Sequence, residues 1–395
     1  MLKVILILLF SLQINAKVWD SDRSWNDEDL SSFRNWVETK LDRDIFSNTK
    51  SPYYGIKTDC ADAIFAYMAI YSLENKLYFQ AKLNFNNLID SNSSNFDHLP
   101  KKERLKSMVH YIGSNAGTYA LAYHNSYPIE LKDISGGDIY ITEWNKNGKT
   151  NRHAYLIKSF QETGHFELYS STTPAKVRKL GIRTGMPLHN FSKKPWGFKR
   201  IAPYYLVSNK RADYSNEQYK YRMTWGKDFL PNLSKYLATQ KDNINKNLLR
   251  RIGNICDMLL TRVNEVEEAI IYKTKINRCM NSSEYYNYST PSRDSSLQSS
   301  LTRILIGWKK IRKSKLLSDI DEDIISSLDY LLGKRKDIEA KENLYNLCPL
   351  KIEGHVFTMR DYFKLKRNSR LSSNPNNSLR SRWGLPAKKS NCPTY

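Results

Sequence analysis

Apolar residues recur at helical spacing between positions 26 and 45, at Leu30, Phe33, Trp36, Val37 and Leu41. Asn26 stands where a cap belongs, and Asp27, Glu28 and Asp29 occupy the first turn, where acids suit the helix dipole. The pattern predicts an amphipathic helix. After a loop containing Ser51-Pro52-Tyr53-Tyr54-Gly55, a second helix is marked by Ala63, Ile64, Tyr67, Met68 and Tyr71. It begins almost at Cys60, with Thr58 or Asp59 as its cap. A weaker stripe, Leu105, Val109, Ile112, Ala116 and Leu121, predicts a third helix over about 101–122. Beyond Pro128 the period falls from 3.6 to 2. Segments 138–142, 153–160, 166–170 and one ending near 196–201 then read as short strands. Helices followed by a meander of strands predict an α+β domain over residues 17–213.

From Tyr214 onward the period is helical again. Leu248, Ile252, Ile255, Leu259, Val263 and Ile270 form one broad face within 232–276. Pro291 suits the first turn of a helix carrying Leu301, Ile304, Leu305 and Trp308, and Ile320, Ile324, Leu328 and Leu331 form a third set. Residues 214–395 are therefore expected to be a mostly α-helical domain. Its last stretch, 360–389, holds nine basic residues and one acid among Asn, Ser and Pro, and is expected to be an extended or partly disordered tail.

The opening segment, 1–16, reads as an export signal: Lys3, an apolar run from Val4 to Leu12 interrupted only by Ser11, then Ile14-Asn15-Ala16. The run is too short to span a bilayer. The expected location is periplasmic or extracellular, with no transmembrane segment after removal of the signal. Aromatic residues make up 12 % of the 395, which argues against wholesale disorder. Lys and Arg total 62 against 40 Asp and Glu, a net +22 that favours anionic partners. The basic stretch has few aromatics and no recognisable nucleic-acid fold. With the export signal, this favours an anionic envelope polymer, and no nucleic-acid partner is expected.

Five cysteines in an oxidising compartment leave at least one unpaired. Four lie beyond residue 250, so two disulfides confined to 250–395 are expected, in one of three connectivities. Cys348-Pro349 and Cys392-Pro393 read as loop positions tied back to the helices bearing Cys256 and near Cys279. Cys60 is left alone. A cysteine is nucleophilic only as thiolate, and the unpaired N–H groups of a helix's first turn offer both positive potential and a donor for an oxyanion. His153, at the head of a strand behind Gly137-Asp138, is the histidine placed to serve as its base. His98, His110, His124, His165, His189 and His355 have no comparable setting, and none pairs at metal-ligand spacing, so neither a metal nor another cofactor is expected.

These residues carry a resemblance. Pro52-Tyr53-Tyr54-Gly55, Asp59-Cys60, Gly137-Asp138-Ile139 and His153 with its apolar strand resemble the NlpC/P60 group of papain-like cysteine hydrolases, which cleave peptide bonds of bacterial cell-wall peptides. Within that clan the likeness is to an exported family with a Cys-Ala-Asp-Ala motif, here Cys60-Ala61-Asp62-Ala63, followed in order by Gly117-Thr118, His153-Ala154, and Ser171 before Pro174-Ala175. It spans about residues 50–180. The resemblance implies a papain-like domain with Cys60 as nucleophile, His153 as base, a polar residue on the following strand to orient the imidazole, and a Tyr53 or Tyr54 hydroxyl near the oxyanion. That strand, Phe166-Glu167-Leu168-Tyr169-Ser170, lacks the histidine usual there. Ser170, Tyr169 or Glu167 could take the role, with Ser170 slightly preferred. Asp62 is expected to cap the helix or pair with a basic neighbour, and Asp138 to bond backbone N–H groups at a strand entry. Two functions follow: a cysteine peptidase or amidase acting on cell-wall peptides, or an inactive papain-like fold that binds an anionic envelope polymer.

Overall fold

A computed structural model describes residues 17–146 and 148–395. The expected export signal, 1–16, lies outside the described residues. The chain divides into two compact units. One comprises the described residues up to Phe160 together with Tyr169–Leu180 and Pro187–Phe229. The other comprises Gln161–Leu168, Gly181–Met186 and Leu230–Tyr395.

The first unit opens with β1 (Arg23–Ser24) and α1 (Asp27–Thr39), followed by α2 (Cys60–Glu74), and β2 (Leu77–Tyr78) runs parallel to β1. A short hairpin, β3 (Gln80–Lys82) and β4 (Leu88–Asp90), precedes α3 (Lys101–Asn115) and α4 (Thr118–His124). In chain order there follow β5 (Ser126–Pro128), β6 (Ile139–Lys146), β7 (Lys149–Gln161), β8 (His165–Ser170), β9 (Gly181–Gly185), β10 (Gly197–Ile201) and α5 (Glu217–Trp225), of which β9 and most of β8 belong to the other unit. Strands β5 to β10 make a six-stranded sheet in the order β5-β10-β6-β7-β8-β9, antiparallel along β5-β10-β6-β7. The expected α+β class is present.

Helix α2 is the centre of this unit. Every residue from Cys60 to Ser72 is buried, so a helix apolar on all faces sits inside the core, and its alanines at 61, 63, 66 and 69 let neighbours approach closely. At one side Phe33, Trp36 and Trp25 pack around Tyr71 with centroids 5.2–5.8 Å from its ring. The helix expected over 101–122 is two helices. Ala116 and Gly117 adopt extended backbone, which ends α3 and gives α4 an N-terminus of its own at Thr118.

Beyond residue 229 the chain is helical: α6 (Phe229–Leu237), α7 (Ile244–Ile276), α8 (Ser282–Tyr288), α9 (Pro291–Ile311), α10 (Glu322–Leu332), α11 (Ile338–Leu347), the hairpin β11 (Lys351–Ile352) and β12 (His355–Val356), α12 (Met359–Arg367) and α13 (Leu379–Arg382). Leu248, Ile252, Ile255, Leu259 and Val266 of α7 share one core with Leu297, Leu301, Ile304 and Trp308 of α9. Two disulfides lie here, Cys256–Cys348 and Cys279–Cys392. The stretch 360–389 departs from the extended tail expected of it. It forms α12 and α13 and buries Tyr362, Arg382 and Trp383 fully, because its few aromatics and two of its arginines find partners inside the core. Among the described residues no helix is long and apolar enough to cross a membrane.

Candidate active site

Asp59 caps α2 by accepting from the Ala61 and Asp62 N–H groups, at 3.0 and 3.2 Å. Asp62 returns the bond, its carboxylate accepting from the Asp59 N–H at 3.0 Å. The reciprocal pair fixes the first turn, and it answers the sequence question about Asp62: it caps. Burial, then the charge of Asp59, push the Asp62 carboxyl up to about 7. Cys60, first residue of the helix, keeps a backbone N–H with no intrahelical acceptor.

The segment leading into the helix is held from several directions. The Lys57 N–H donates to His110 Nε2 of α3 at 2.9 Å. Thr58 pairs with Lys176 through the backbone, and its hydroxyl lies 3.1 Å from that of Ser171, which in turn donates to the Thr58 carbonyl at 2.8 Å. Ser171 thus has a building role at the entry to α2. No sequence periodicity signals it; it is visible only in the order of motifs within the resemblance.

Cys60 is the free cysteine, with 6 % of its surface exposed. Its sulfur lies 3.7 Å from the Thr118 hydroxyl, and the backbone of Ala154, the residue after His153, favours its thiolate form. The His153 ring is not among its hydrogen-bond partners within the described residues. Burial, followed by the charge of Asp59, pushes the thiol up to about 11, while Thr118 and Ala154 pull it down. The expectation that the helix start would lower this value is therefore overturned: desolvation outweighs the first-turn potential.

His153 pairs across the sheet with Thr142 and sets its ring edge-on to Tyr155, centroids 4.5 Å apart. Burial, and then His189, lower its imidazole to about 4. His189 is the residue that sequence reasoning set aside. It stacks on Trp144 at 4.1 Å, its carbonyl accepts from the Tyr140 hydroxyl at 2.8 Å, and its charge is felt at His153. It stands far along the chain in a loop, without periodicity, so the sequence offered no signal for it.

The remaining expected members are placed elsewhere. Tyr54 is 49 % exposed. The Tyr53 hydroxyl donates to Glu74 at 2.7 Å, at the far end of α2 from Cys60, a helix of 15 residues and so about 20 Å in length. The hydroxyl beside the sulfur is instead that of Thr118. Ser170 closes β8, and among the described residues it makes no hydrogen bond to His153. Asp138 accepts from the Ser135 N–H at 3.0 Å, as expected, and is also held by Arg200 Nε and Nη2 at 2.8 and 3.0 Å in a fully buried ion pair.

Next to Thr118, α4 presents Tyr119 and Tyr123, stacked at 4.1 Å and 38 % and 45 % exposed, with Trp196 edge-on to Tyr123. The Arg152 guanidinium lies over Tyr119 and Trp196 and pairs with Glu143 at 2.7 Å. Arg152 directly precedes His153, so an aromatic surface flanks both ends of the candidate pair. Among the described residues no group of three or more His, Cys, Asp or Glu could hold a metal ion. Scanned against protein-family models, and compared with curated proteins and solved structures, the chain matches none.

Proposed function

We propose that the first unit is a papain-like cysteine hydrolase acting on peptide or amide bonds, with cell-wall peptides as its substrate class. The observation that carries this reading is the setting of Cys60. It is the one thiol outside the two disulfides, it opens a buried helix, and its sulfur rests against the backbone of the residue after His153. In this reading the resting pair is a neutral thiol and a neutral imidazole. His153 takes the proton as the sulfur attacks the substrate carbonyl and gives it to the departing amine as the C–N bond breaks, leaving the acyl enzyme with no ion pair stored beforehand. The Cys60 N–H and the Thr118 hydroxyl are the donors for the oxyanion, and water then releases the acyl group. The aromatic surface of Tyr119, Tyr123 and Trp196 is the adjoining place for substrate to lie. The export signal expected at 1–16, together with disulfides typical of oxidising compartments, supports a location for this chemistry outside the cytoplasm.

A second reading has its own support. The raised Cys60 pKa, with a Tyr53 hydroxyl engaged by Glu74, suits a papain-like fold that binds an anionic envelope polymer without turnover. Incubation of the protein with purified cell wall decides between them. Release of peptide fragments by wild type, lost in Cys60→Ala and in His153→Ala, is expected of the hydrolase. Equal release by wild type and Cys60→Ala would remove the Cys60 mechanism, and sedimentation with the wall without any release would leave only the binding reading.

A further inference from the structure

Asp294, in the first turn of α9, is the centre of a buried polar cluster in the helical unit. One carboxylate oxygen accepts from Arg262 Nε at 2.5 Å and from the Tyr362 hydroxyl at 3.1 Å. The other accepts from Ser373 at 2.6 Å and Thr290 at 3.0 Å. Burial opposes its charge, but Arg262 and the hydroxyl donors outweigh it and hold the carboxyl below its usual range.

Arg382 of α13 closes on the same cluster. Its Nη2 donates to the Tyr288 carbonyl and the Thr290 hydroxyl, both at 3.3 Å. Arg262 Nη2 donates to the Arg382 carbonyl at 3.1 Å, and its guanidinium lies 4.5 Å from the centre of the Trp383 ring. Arg262, Arg382 and Trp383 are each 0 % exposed.

The charges here do not balance. Two guanidiniums face the Asp294 carboxylate; Glu265, whose charge also reaches Arg382, is paired with a third guanidinium, that of Arg293, at 2.7 Å, so three cations stand against two acids. The donors do not balance either. Arg262 Nη1, Arg382 Nε and Nη1, and Trp383 Nε1 are all buried without an acceptor among the described residues. A buried ion without a counter-charge is strongly unfavourable, and a guanidinium does not escape the cost by shedding its proton. Water could accept from the orphaned N–H groups but would leave the excess charge in place. An anion answers both deficits at once.

We infer that the buried cluster of Arg262, Arg382 and Trp383, with its unpartnered donors, is a binding site for a small inorganic anion, a halide or a compact oxyanion such as sulfate or phosphate. Burial, and next the charge of Arg262, depress the Arg382 guanidinium to about 9, against the opposing charges of Asp294 and Glu265. The bound anion ties α7, through Arg262, to the C-terminal residues of α13. It acts as a structural bolt within the helical unit.

The test uses the full chain with its disulfides intact. Thermal unfolding is followed while chloride, bromide, sulfate or phosphate replaces gluconate at constant ionic strength, and crystals are grown with bromide and with sulfate. A saturable rise in the unfolding midpoint is expected for at least one of these anions, with an anomalous bromide peak or tetrahedral density within hydrogen-bond reach of Arg382 and Trp383 Nε1. The two crystal forms distinguish halide from oxyanion. Trp383→Phe keeps the ring and removes one donor, and it should raise the anion concentration needed for half the effect about tenfold, as expected for losing a hydrogen bond to a charged group. A half-effect concentration unchanged in folded Trp383→Phe overturns the proposal. If that variant does not fold, the wild-type crystals decide: water alone at the cluster in both overturns it, and anion density there sustains it.

Discussion

The Cys60 sulfur and the Thr118 hydroxyl lie 3.7 Å apart, and each belongs to the first residue of its helix. Two helix starts therefore contribute a side chain each to this contact. Desolvation still wins, so the resting thiol is protonated at neutral pH.

Alkylation of Cys60 by iodoacetamide should accordingly be slow at pH 7 and rise about tenfold per pH unit up to about pH 11, following the thiolate fraction. Removing the Thr118 hydroxyl in Thr118→Val takes away one of the groups that lower the pKa and should slow labelling further, whereas Thr118→Ser should restore it. A rate flat from pH 6 upward would show a thiolate already formed.

His153 and Asp62 should oppose one another in acid. The imidazole falls from 6.5 unfolded to about 4 folded, so its stabilisation is full above pH 6.5 and is lost as pH falls toward 4. The Asp62 carboxyl rises from 3.8 to about 7, so its stabilisation is full below pH 3.8 and is lost as pH rises toward 7. Urea unfolding between pH 4 and 7 should therefore show His153→Gln gaining stability on acidification relative to wild type, and Asp62→Asn losing it. Parallel curves for all three proteins would refute both assignments.

Gly113 of α3 is where that helix meets the capping box. A β-carbon there would stand 2.7 Å from Asp62 Oδ1, a short side chain already committed to the Asp59 N–H. Gly113→Ala should destabilise the protein by about 1–3 kcal/mol through overpacking, despite the better helix propensity of alanine. It should also change the alkylation rate of Cys60, because the first turn of α2 has to shift. A neutral or stabilising effect in denaturant titration would contradict this packing.

The Asp138–Arg200 pair supports the sheet under His153. Arg200 also reaches Asp213 at 2.6 Å and the Asp133 carbonyl at 3.0 Å. Arg200→Met leaves Asp138 buried without its partner and should cost about 3–5 kcal/mol. Joining it to Asp138→Leu should recover much of that loss, and equilibrium unfolding of the two variants measures the difference. No recovery in the double variant would mean that the arginine acts chiefly through its other bonds.

The elements written in local pattern were legible in the sequence. Helix α2 was readable from its apolar residues and its Asp59 cap, and the pairing of four late cysteines among themselves from their count and position. What escaped depends on contacts across long separations. Ala116-Gly117 breaks one apolar stripe into two helices without proline, and only packing reveals that the break sets Thr118 beside Cys60. His189 reaches the neighbourhood of His153 from a loop. The basic stretch 360–389 looked solvated because charge dominates its composition, yet Arg382 and Trp383 enter the core, where Asp294 and Arg262 of distant helices receive them. The raised Cys60 pKa was invisible for a related reason: a helix start is a local feature, whereas dehydration comes from everything packed around it.

The separation of the cysteines also has a consequence in time. During synthesis Cys60 appears about 200 residues before Cys256, an interval of roughly 10–40 s at ordinary elongation rates. Until then no second thiol exists in the chain for it to mispair with. By the time the four later cysteines emerge, burial of Cys60 within α2 has had the opportunity to shelter it from exchange. Once Cys256–Cys348 and Cys279–Cys392 have closed, any disulfide Cys60 forms must be with another molecule. The order of residues along the chain thus guards the lone thiol by schedule as well as by place.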